Sequence, residues 1–191
     1  MAVTTHDPRI TRTRRLLQSA LLQLARERPL DAITVADIAD RAEVNRSTFY
    51  QHYSDKDTLL ADALDAQVAA AGADLESIAG AFTPGAPAPE LLLRYVTQVG
   101  EHADLYRRVL VEHGSPIAVT RLRRRITAVA VDGIAMYGPE TSSSGLPVEI
   151  AAASVAGSLI GMLIAWLESP DPVEPRVITA WIWGVLNQSG C

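Results

Sequence analysis

Residues 34–60 read TVADIADRAEVNRSTFYQHYSDKDTLL, and the pattern in this stretch decides the fold. Thr34 and Asp37 have the spacing of a capping box, which predicts that a helix begins at Thr34. Asn45 is a residue type that suits the N-cap of a second, short helix over residues 46–51. Two short helices joined by a tight turn, the second carrying polar and aromatic side chains, are typical of a helix-turn-helix.

A third helix is predicted to follow directly and to run to about residue 80, because Ser54 and Asp57 repeat the capping-box spacing. Phe49 is expected to point into the core that the three helices share, and packing is the expected role of Tyr53. The buried side of the third helix is predicted from its apolar spacing. It comprises Leu59, Leu60, Ala63, Leu64, Ala66 and Ala70.

Ahead of this unit, residues 9–28 are predicted to form a helix that supports it. Leu17, Leu21 and Leu24 form an apolar stripe at helical spacing, and Leu16 and Leu22 are expected to widen that stripe. Beyond residue 89 the sequence predicts helices over residues 90–103, 104–113, 117–136, 148–168 and 176–187. Runs rich in Pro and Gly at residues 82–89 and 138–147 interrupt them.

The run from Asn45 to Lys56 (NRSTFYQHYSDK) resembles the DNA-reading segment of the TetR family of bacterial transcriptional regulators. The family usually has glycine in the turn where this chain has Glu43. Because glutamate enters left-handed backbone regions less readily than glycine, we expect this turn either to be mildly strained or to follow a different path. The resemblance implies an all-α protein, with a three-helix helix-turn-helix domain at residues 1–54 and a larger helical ligand-binding and dimerisation domain at residues 55–191.

The candidate DNA contacts fall into two groups. Arg46, Ser47 and Gln51 are expected to read bases, since arginine pairs with guanine and glutamine with adenine. The resemblance assigns other side chains of the motif to the DNA backbone, and hydroxyl, imidazole and ammonium groups suit phosphate oxygens. The full predicted set is Thr34, Arg46, Ser47, Thr48, Tyr50, Gln51, His52 and Lys56. Lys56 is the only lysine in the chain.

The charge is divided unevenly along the chain. Residues 1–60 hold nine Lys and Arg against eight Asp and Glu, a net charge of +1, and residues 61–191 hold eight against fourteen, a net charge of −6. A local basic face on the first part is therefore compatible with phosphate binding, although ordinary charge scatter is the alternative. A second basic run, RLRRR at residues 121–125, is either a nucleic-acid contact or, as we favour, a solvated face.

Residues 150–167 carry no charge over eighteen positions. The flanking residues are Glu149 and Glu168, whereas membrane spans favour Lys and Arg, so we interpret the segment as a buried helix and expect no membrane association. Cys191, the sole cysteine, is the last residue, which fits a reducing cytosol and a cytoplasmic protein without disulfides.

The two apolar C-terminal helices are predicted to pair with those of a second copy, as in the TetR family, giving a homodimer. The candidate interface residues are Gly157, Ser158, Gly161, Trp181, Ile182 and Val185. The larger domain is expected to hold a small effector, and the candidate pocket residues are Tyr95, Tyr106, Met136, Tyr137, Met162 and Trp166.

These features predict a sequence-specific, ligand-responsive repressor that binds double-stranded DNA at an inverted repeat as a dimer. The alternative is a helix-turn-helix adaptor or co-activator that acts through a protein partner, and Glu43 is the feature that favours it. We expect no enzyme, no cofactor and no metal. The sequence has no nucleophile–base pattern and no phosphate-binding glycine loop, and the spacing of His102 and His113 matches no common ligand motif.

Overall fold

A computed structural model describes residues 7–70, 72, 87–112, 115–135 and 145–189. These residues form helices, as predicted, and the fold class is all-α. The helices are α1 (Pro8–Glu27), α2 (Val35–Arg41), α3 (Arg46–His52), α4 (Lys56–Ala70), α5 (Glu90–Glu101), α6 (Ala103–Arg107), α7 (Pro116–Ala135), α8 (Val148–Glu168) and α9 (Pro175–Ser189). A π-helical segment, Arg108–Glu112, continues from α6. The predicted continuation of α4 to residue 80, most of the linker at 82–89 and most of the loop at 138–147 lie outside the described residues.

The first helix begins and packs as its sequence predicts, with one exception. Asp7 caps α1, where its carboxylate accepts the Arg9 N–H at 2.9 Å. Leu17 and Leu21 are fully buried, but the prediction for Leu16 is wrong, since its side chain is 42% exposed. Leu16 lies beside the buried stripe on the solvent side of α1, so it does not widen the core contact.

The short helices begin at the expected places but not always with the expected caps. Thr34 and Asp37 form the predicted capping box of α2. Asn45 is the N-cap residue of α3 without a side-chain cap hydrogen bond. The predicted cap of α4 is wrong by one residue, because Asp55 instead accepts the Thr58 N–H, at 2.7 Å. An aspartate just before the first helical turn satisfies the same free N–H groups as a serine would.

The apolar core of the N-terminal part draws on more than the three helices of the motif. Phe49 is fully buried and Tyr53 is 3% exposed, as expected for core residues. Leu59 and Leu60 of α4 pack into this cluster, and the partly buried Leu64 packs against it; Ala66 and Ala70 are exposed, so the predicted stripe was too wide. The cluster also takes up three residues from further along the chain: Leu105, Val109 and Ala118.

A second core forms between α5, α7, α8 and α9. Trp166 of α8 closes it, since its indole N–H donates to the Val173 carbonyl at 2.8 Å and its ring lies against Gly100. A Cβ atom placed on Gly100 would approach the Trp166 ring to 2.9 Å, so a larger residue at this position would force the indole or the backbone to shift.

Helix α8 is the uncharged segment. Of the described helices, it is the one long and apolar enough to cross a membrane by length and composition, and 50% of its apolar window is buried inside the protein. Val155, Leu159 and Leu163 belong to the second core, so one face of α8 packs inside the protein.

Candidate nucleic-acid interface and ligand cavity

Helix α3 has one exposed face and one buried face. Arg46, Ser47, Tyr50 and Gln51 are exposed. They are spaced by one, three and one positions, which places all four on one side of a helix. Phe49 lies on the other side and is fully buried, so it anchors α3 in the core. Four of the eight predicted DNA contacts are thus brought together on one surface.

Tyr50 is held at the centre of this face. Its ring packs edge-on against Phe49, with the ring centroids 5.3 Å apart and the planes at 80°. The side chain is 55% exposed, which leaves its hydroxyl accessible to a phosphate oxygen. Thr48 and His52, on the same helix, are half-buried.

The turn between α2 and α3 adopts the left-handed conformation. Glu43 has a φ of 55°, and it is the non-glycine residue with positive φ among the described residues. Its N–H donates to the Asp40 carbonyl at 3.2 Å, and the Val44 N–H reaches the Ala39 carbonyl at 3.0 Å. The turn therefore has the geometry that glycine allows at the lowest cost, and Glu43 bears the strain that the sequence led us to expect.

Lys56 has a structural role that the sequence did not reveal. Its ammonium donates to the Leu30 carbonyl and to the Ile33 carbonyl, the latter at 3.0 Å. Both carbonyls belong to the segment that joins α1 to α2, so Lys56 fixes α4 to that connection. Two of the three ammonium protons are used in this way. The predicted contact of Lys56 with a DNA phosphate stays a prediction.

Thr34 is also occupied within the protein. Its hydroxyl donates to Asp37 Oδ2 at 2.7 Å and accepts the Asp37 N–H at 3.2 Å. The hydrogen bonds from Thr34, together with Arg28 at 2.9 Å, lower the pKa of Asp37 to about 2. Thr34 thus sets the entry to α2, and its predicted DNA contact stays a prediction.

A polar network connects the end of α3 with α1, α4 and α7. The Tyr53 hydroxyl accepts from Gln18 Nε2 at 3.2 Å and donates to Asp62 Oδ2 at 3.0 Å. The guanidinium of Arg14 lies 5.4 Å from the centre of the Tyr53 ring. Burial, and then the negative charge of Asp62, raise the pKa of Tyr53 to about 12. Tyr53 therefore joins α1, α3 and α4 in addition to filling the core.

The basic run of α7 divides into two parts. Arg121 pairs with Asp62 at 2.9 Å and with Asp65 at 3.6 Å, and Arg125 pairs with Asp65 at 3.2 Å. Arg123 and Arg124 are exposed. The expectation of a solvated face is confirmed for these two residues, but it is wrong for Arg121 and Arg125, which hold α7 against α4.

A small cavity of about 30 Å³ lies beside this charge network, between α4, α5, α6, the π-helical segment and α7. Its polar groups come from Asp65, Tyr95, Tyr106, Arg121 and Arg125. Its apolar wall consists of Ala61, Leu64, Val68, Val109, Leu110, Ala118 and Leu122.

The predicted pocket residues do not all meet in this cavity. Tyr95 and Tyr106 line it. Trp166 packs between α5 and α9, and Met162 packs against the second core, so neither lines the cavity. Met136 and Tyr137 lie outside the described residues. Apolar spacing could not separate pocket residues from core residues, because both face the interior of a helix bundle.

The predicted interface residues occupy two environments. Gly157, Ser158 and Gly161 are exposed on α8, and Trp181 on α9 is 54% exposed. Ile182 is 1% exposed and packs inside the same chain, while Val185 is half-buried.

Among the described residues, His, Cys, Asp and Glu form no cluster of three or more that could hold a metal ion. His113, one member of the weak pair in the sequence, lies outside those residues.

The helix-turn-helix matches a family of known proteins. Residues 17–63 match the model of the bacterial regulatory proteins of the tetR family. Over 55 residues the chain is 44% identical to the uncharacterized HTH-type transcriptional regulator YxbF of Bacillus subtilis (strain 168). That match covers 28% of this chain and 14% of YxbF.

The similarity of the fold extends over almost the whole chain. A TetR transcriptional regulator from Streptococcus agalactiae 2603V superimposes with a TM-score of 0.66 at 20% identity, covering 94% of this chain and 96% of the other. Thermus thermophilus FadR, a TetR-family transcriptional repressor in complex with lauroyl-CoA, gives a TM-score of 0.60 at 18% identity, covering 93% and 95%. At these identities the superpositions establish the fold.

Proposed function

We propose that this chain, which belongs to the bacterial regulatory proteins of the tetR family through its residues 17–63, is a sequence-specific DNA-binding transcriptional regulator. It acts in the cytoplasm as a homodimer on an inverted-repeat operator, and it is a repressor whose DNA affinity depends on a small effector. The observation that carries the proposal is the exposed face of α3, where Arg46, Ser47, Tyr50 and Gln51 stand side by side.

The chemistry of that face suits a major groove. Arg46 forms no ion pair within the part of the chain that the structure describes, so its guanidinium is available for a guanine edge. The Tyr50 hydroxyl suits a phosphate. Arg9, Arg12 and Arg15 are exposed near the start of α1 and add positive charge for the DNA backbone.

The dimer is supported by the surface of α8 and α9. Small residues at helical spacing are exposed on α8, which permits close approach of another helix: Ala153, Ser154, Gly157, Ser158, Gly161 and Ala165. Large apolar side chains flank them, with Ile150 and Trp181 each 54% exposed. A two-fold dimer on this surface would present two α3 helices to half-sites about 34–36 Å, or a multiple of that distance, apart. Ile182 is buried in the second core, so it holds α9 in place and does not contact the second copy directly.

An effector site is supported by the cavity beside Asp65 and Arg121, since these residues connect through Asp62 to Tyr53 at the end of α3. FadR of Thermus thermophilus, which shares the fold, is a repressor whose structure contains lauroyl-CoA. A ligand that changes the packing of α4 against α7 would alter the placement of α3, and so the DNA affinity.

The proposal is tested with Arg46→Ala and a matched control, Arg124→Ala, which removes an exposed arginine from α7. Binding to a duplex selected by the wild-type protein is measured by fluorescence anisotropy over a range of salt. Arg46→Ala should cost about 1–3 kcal/mol and relax the preference at one base pair. Arg124→Ala should bind as the wild type does. The wild-type affinity should fall with salt by a log–log slope of about −0.9 for each phosphate contacted.

Equal losses for Arg46→Ala and Arg124→Ala, or an affinity independent of salt, would contradict the proposal. Absence of DNA binding by a folded dimer at every salt concentration would favour the adaptor. Lys56 is a poor probe for this test, because its removal would disturb the connection between α1 and α2.

A further inference from the structure

We infer that the cavity beside Asp65 takes a small neutral molecule with an apolar body and one hydroxyl group, in preference to organic anions and cations of the same size. This inference rests on the proposed function, since it names the effector class of the proposed regulatory site. Three features of the site support it: the balanced charge network, the Tyr106 hydroxyl without a partner among the described residues, and the apolar wall.

The charge of the site is already balanced. Asp65, Arg121 and Arg125 line the cavity, and Asp62, which is not a lining residue, pairs with Arg121. The network as a whole therefore holds two negative groups against two positive ones, joined by contacts of 2.9–3.6 Å. A charged ligand would leave one charge without a partner in a partly buried place, which is costly. Burial raises the pKa of Asp65 against the opposing effect of the two arginines, so a further negative charge beside Asp65 is unfavourable.

Tyr106 provides the polar group that a ligand hydroxyl would satisfy. The side chain is 3% exposed and lines the cavity. Its Oη atom has no hydrogen-bond partner among the described residues. A buried hydroxyl without a partner costs free energy that a ligand recovers by donating to it or accepting from it. A site of this kind distinguishes strongly against an analogue that lacks the hydroxyl group.

The remaining wall suits a ring or a short aliphatic body. Leu64, Val68, Val109, Leu110 and Leu122 surround the polar groups. The open volume of about 30 Å³ is close to the space of one water, so a ring must displace side chains to enter. Leu64, Leu110 and Leu122 are only partly buried, at the border of the apolar cores, and they are the side chains with room to move.

Two sets of contacts would transmit a displacement caused by a bound ring from the cavity to the helix-turn-helix. Leu110 lies in the π-helical segment, and Arg108 of the same segment donates to the Ala25 and Arg28 carbonyls at the end of α1. On the other side, Arg121 joins the cavity to Asp62 and so to Tyr53. Movement of the π-helical segment would therefore shift the end of α1, and movement of Arg121 would shift Asp62 and Tyr53. Both α1 and Tyr53 support α3.

The experiment compares four probes that share one ring and one carbon: benzyl alcohol, benzoate, benzylammonium and toluene. Binding to the full-length protein is measured at neutral pH by calorimetry without DNA. Benzyl alcohol should bind about tenfold or more tightly than each of the other three. Tyr106→Phe should weaken benzyl alcohol binding about fivefold to tenfold and leave toluene binding unchanged.

Tyr50→Phe is the matched control, because it removes the same hydroxyl from an exposed tyrosine on α3. It should leave the binding of all four probes unchanged and weaken DNA binding. The inference is overturned if benzoate or benzylammonium equals or exceeds benzyl alcohol, if no probe binds, or if Tyr106→Phe affects toluene and benzyl alcohol equally. DNA binding is measured separately on the same samples. A protein that prefers benzyl alcohol but binds no DNA would overturn the proposed function alone, and one that binds DNA without that preference would overturn this inference alone.

Discussion

The helix-turn-helix and the α8–α9 pair are held together in different ways. The first region has an apolar core of its own, and short polar contacts set its backbone geometry: the Thr34–Asp37 capping box, and the Lys56 ammonium on two backbone carbonyls. In the second, apolar side chains of α8 and α9 fill a common core, and the Trp166 indole makes the polar contact that closes their turn.

Because of this difference, we expect single substitutions to have different consequences in the two regions. Where polar contacts fix a backbone, single substitutions alter geometry and the surface offered to DNA. Where apolar packing dominates, the cost of a substitution depends on the volume it adds or removes. Substitutions in both regions test this contrast.

Leu17 and Leu16 are adjacent leucines with opposite environments, at 0% and 42% exposure. Leu17→Ala should lower the free energy of unfolding by about 2–5 kcal/mol, because it opens a cavity beneath the helix-turn-helix. Leu16→Ala should change it by no more than about 0.5 kcal/mol. Urea unfolding followed by circular dichroism measures both, and similar losses for the two variants would contradict the assigned burial.

Gly100 and Gly157 compare a packed glycine with an exposed one. Gly100→Ala brings a Cβ atom to 2.9 Å from the Trp166 ring and should destabilise the fold by about 1–3 kcal/mol. A Cβ on Gly157 meets nothing within 4 Å in the same chain, so Gly157→Ala should stabilise the isolated fold by up to about 1 kcal/mol.

The same Gly157 substitution probes the proposed dimer. If α8 approaches a second copy there, Gly157→Ala should weaken dimerisation in analytical ultracentrifugation while thermal unfolding shows an intact fold. An unchanged dimer dissociation constant would remove Gly157 from the interface.

Glu43→Gly should stabilise the protein by about 0.5–1 kcal/mol, because a φ of 55° costs glutamate more free energy than glycine. The net gain is reduced because glycine loses more conformational entropy on folding. Thermal unfolding measures the change. Asp40→Gly, in the preceding helix, is a matched control and should instead destabilise. A loss of stability in Glu43→Gly would mean that the glutamate side chain has a favourable role in the turn.

Tyr53→Phe affects the response to alkaline pH. The raised pKa of about 12, against 10 in the unfolded chain, means that the contribution of the neutral hydroxyl is complete below pH 10 and is lost as the pH rises through 12. The stability difference between wild type and Tyr53→Phe should therefore shrink between pH 10 and pH 12, and it should stay constant near neutrality. Denaturant unfolding at several pH values measures it, and a constant difference up to pH 12 would argue against a buried neutral Tyr53.

The sequence predicted the helix-turn-helix well because its signals are local. The capping box at Thr34, the buried Phe49 and the strained turn at Glu43 each depend on a few neighbouring residues. The contacts of Lys56 with residues 30 and 33, and of Arg121 with Asp62, join distant parts of the chain and leave no periodic pattern. For the same reason the predicted pocket included Trp166, whose place in the core depends on how α5 and α9 pack.

Selection from a random duplex library measures whether α3 reads DNA sequence in a two-fold dimer. Purified protein without ligand is incubated with the library at moderate salt, and the bound sequences are determined. We expect the wild type to enrich an inverted repeat, and we expect Arg46→Ala to relax the preference at one symmetric pair of positions. A folded dimer that enriches no sequence, with or without benzyl alcohol, would contradict this expectation.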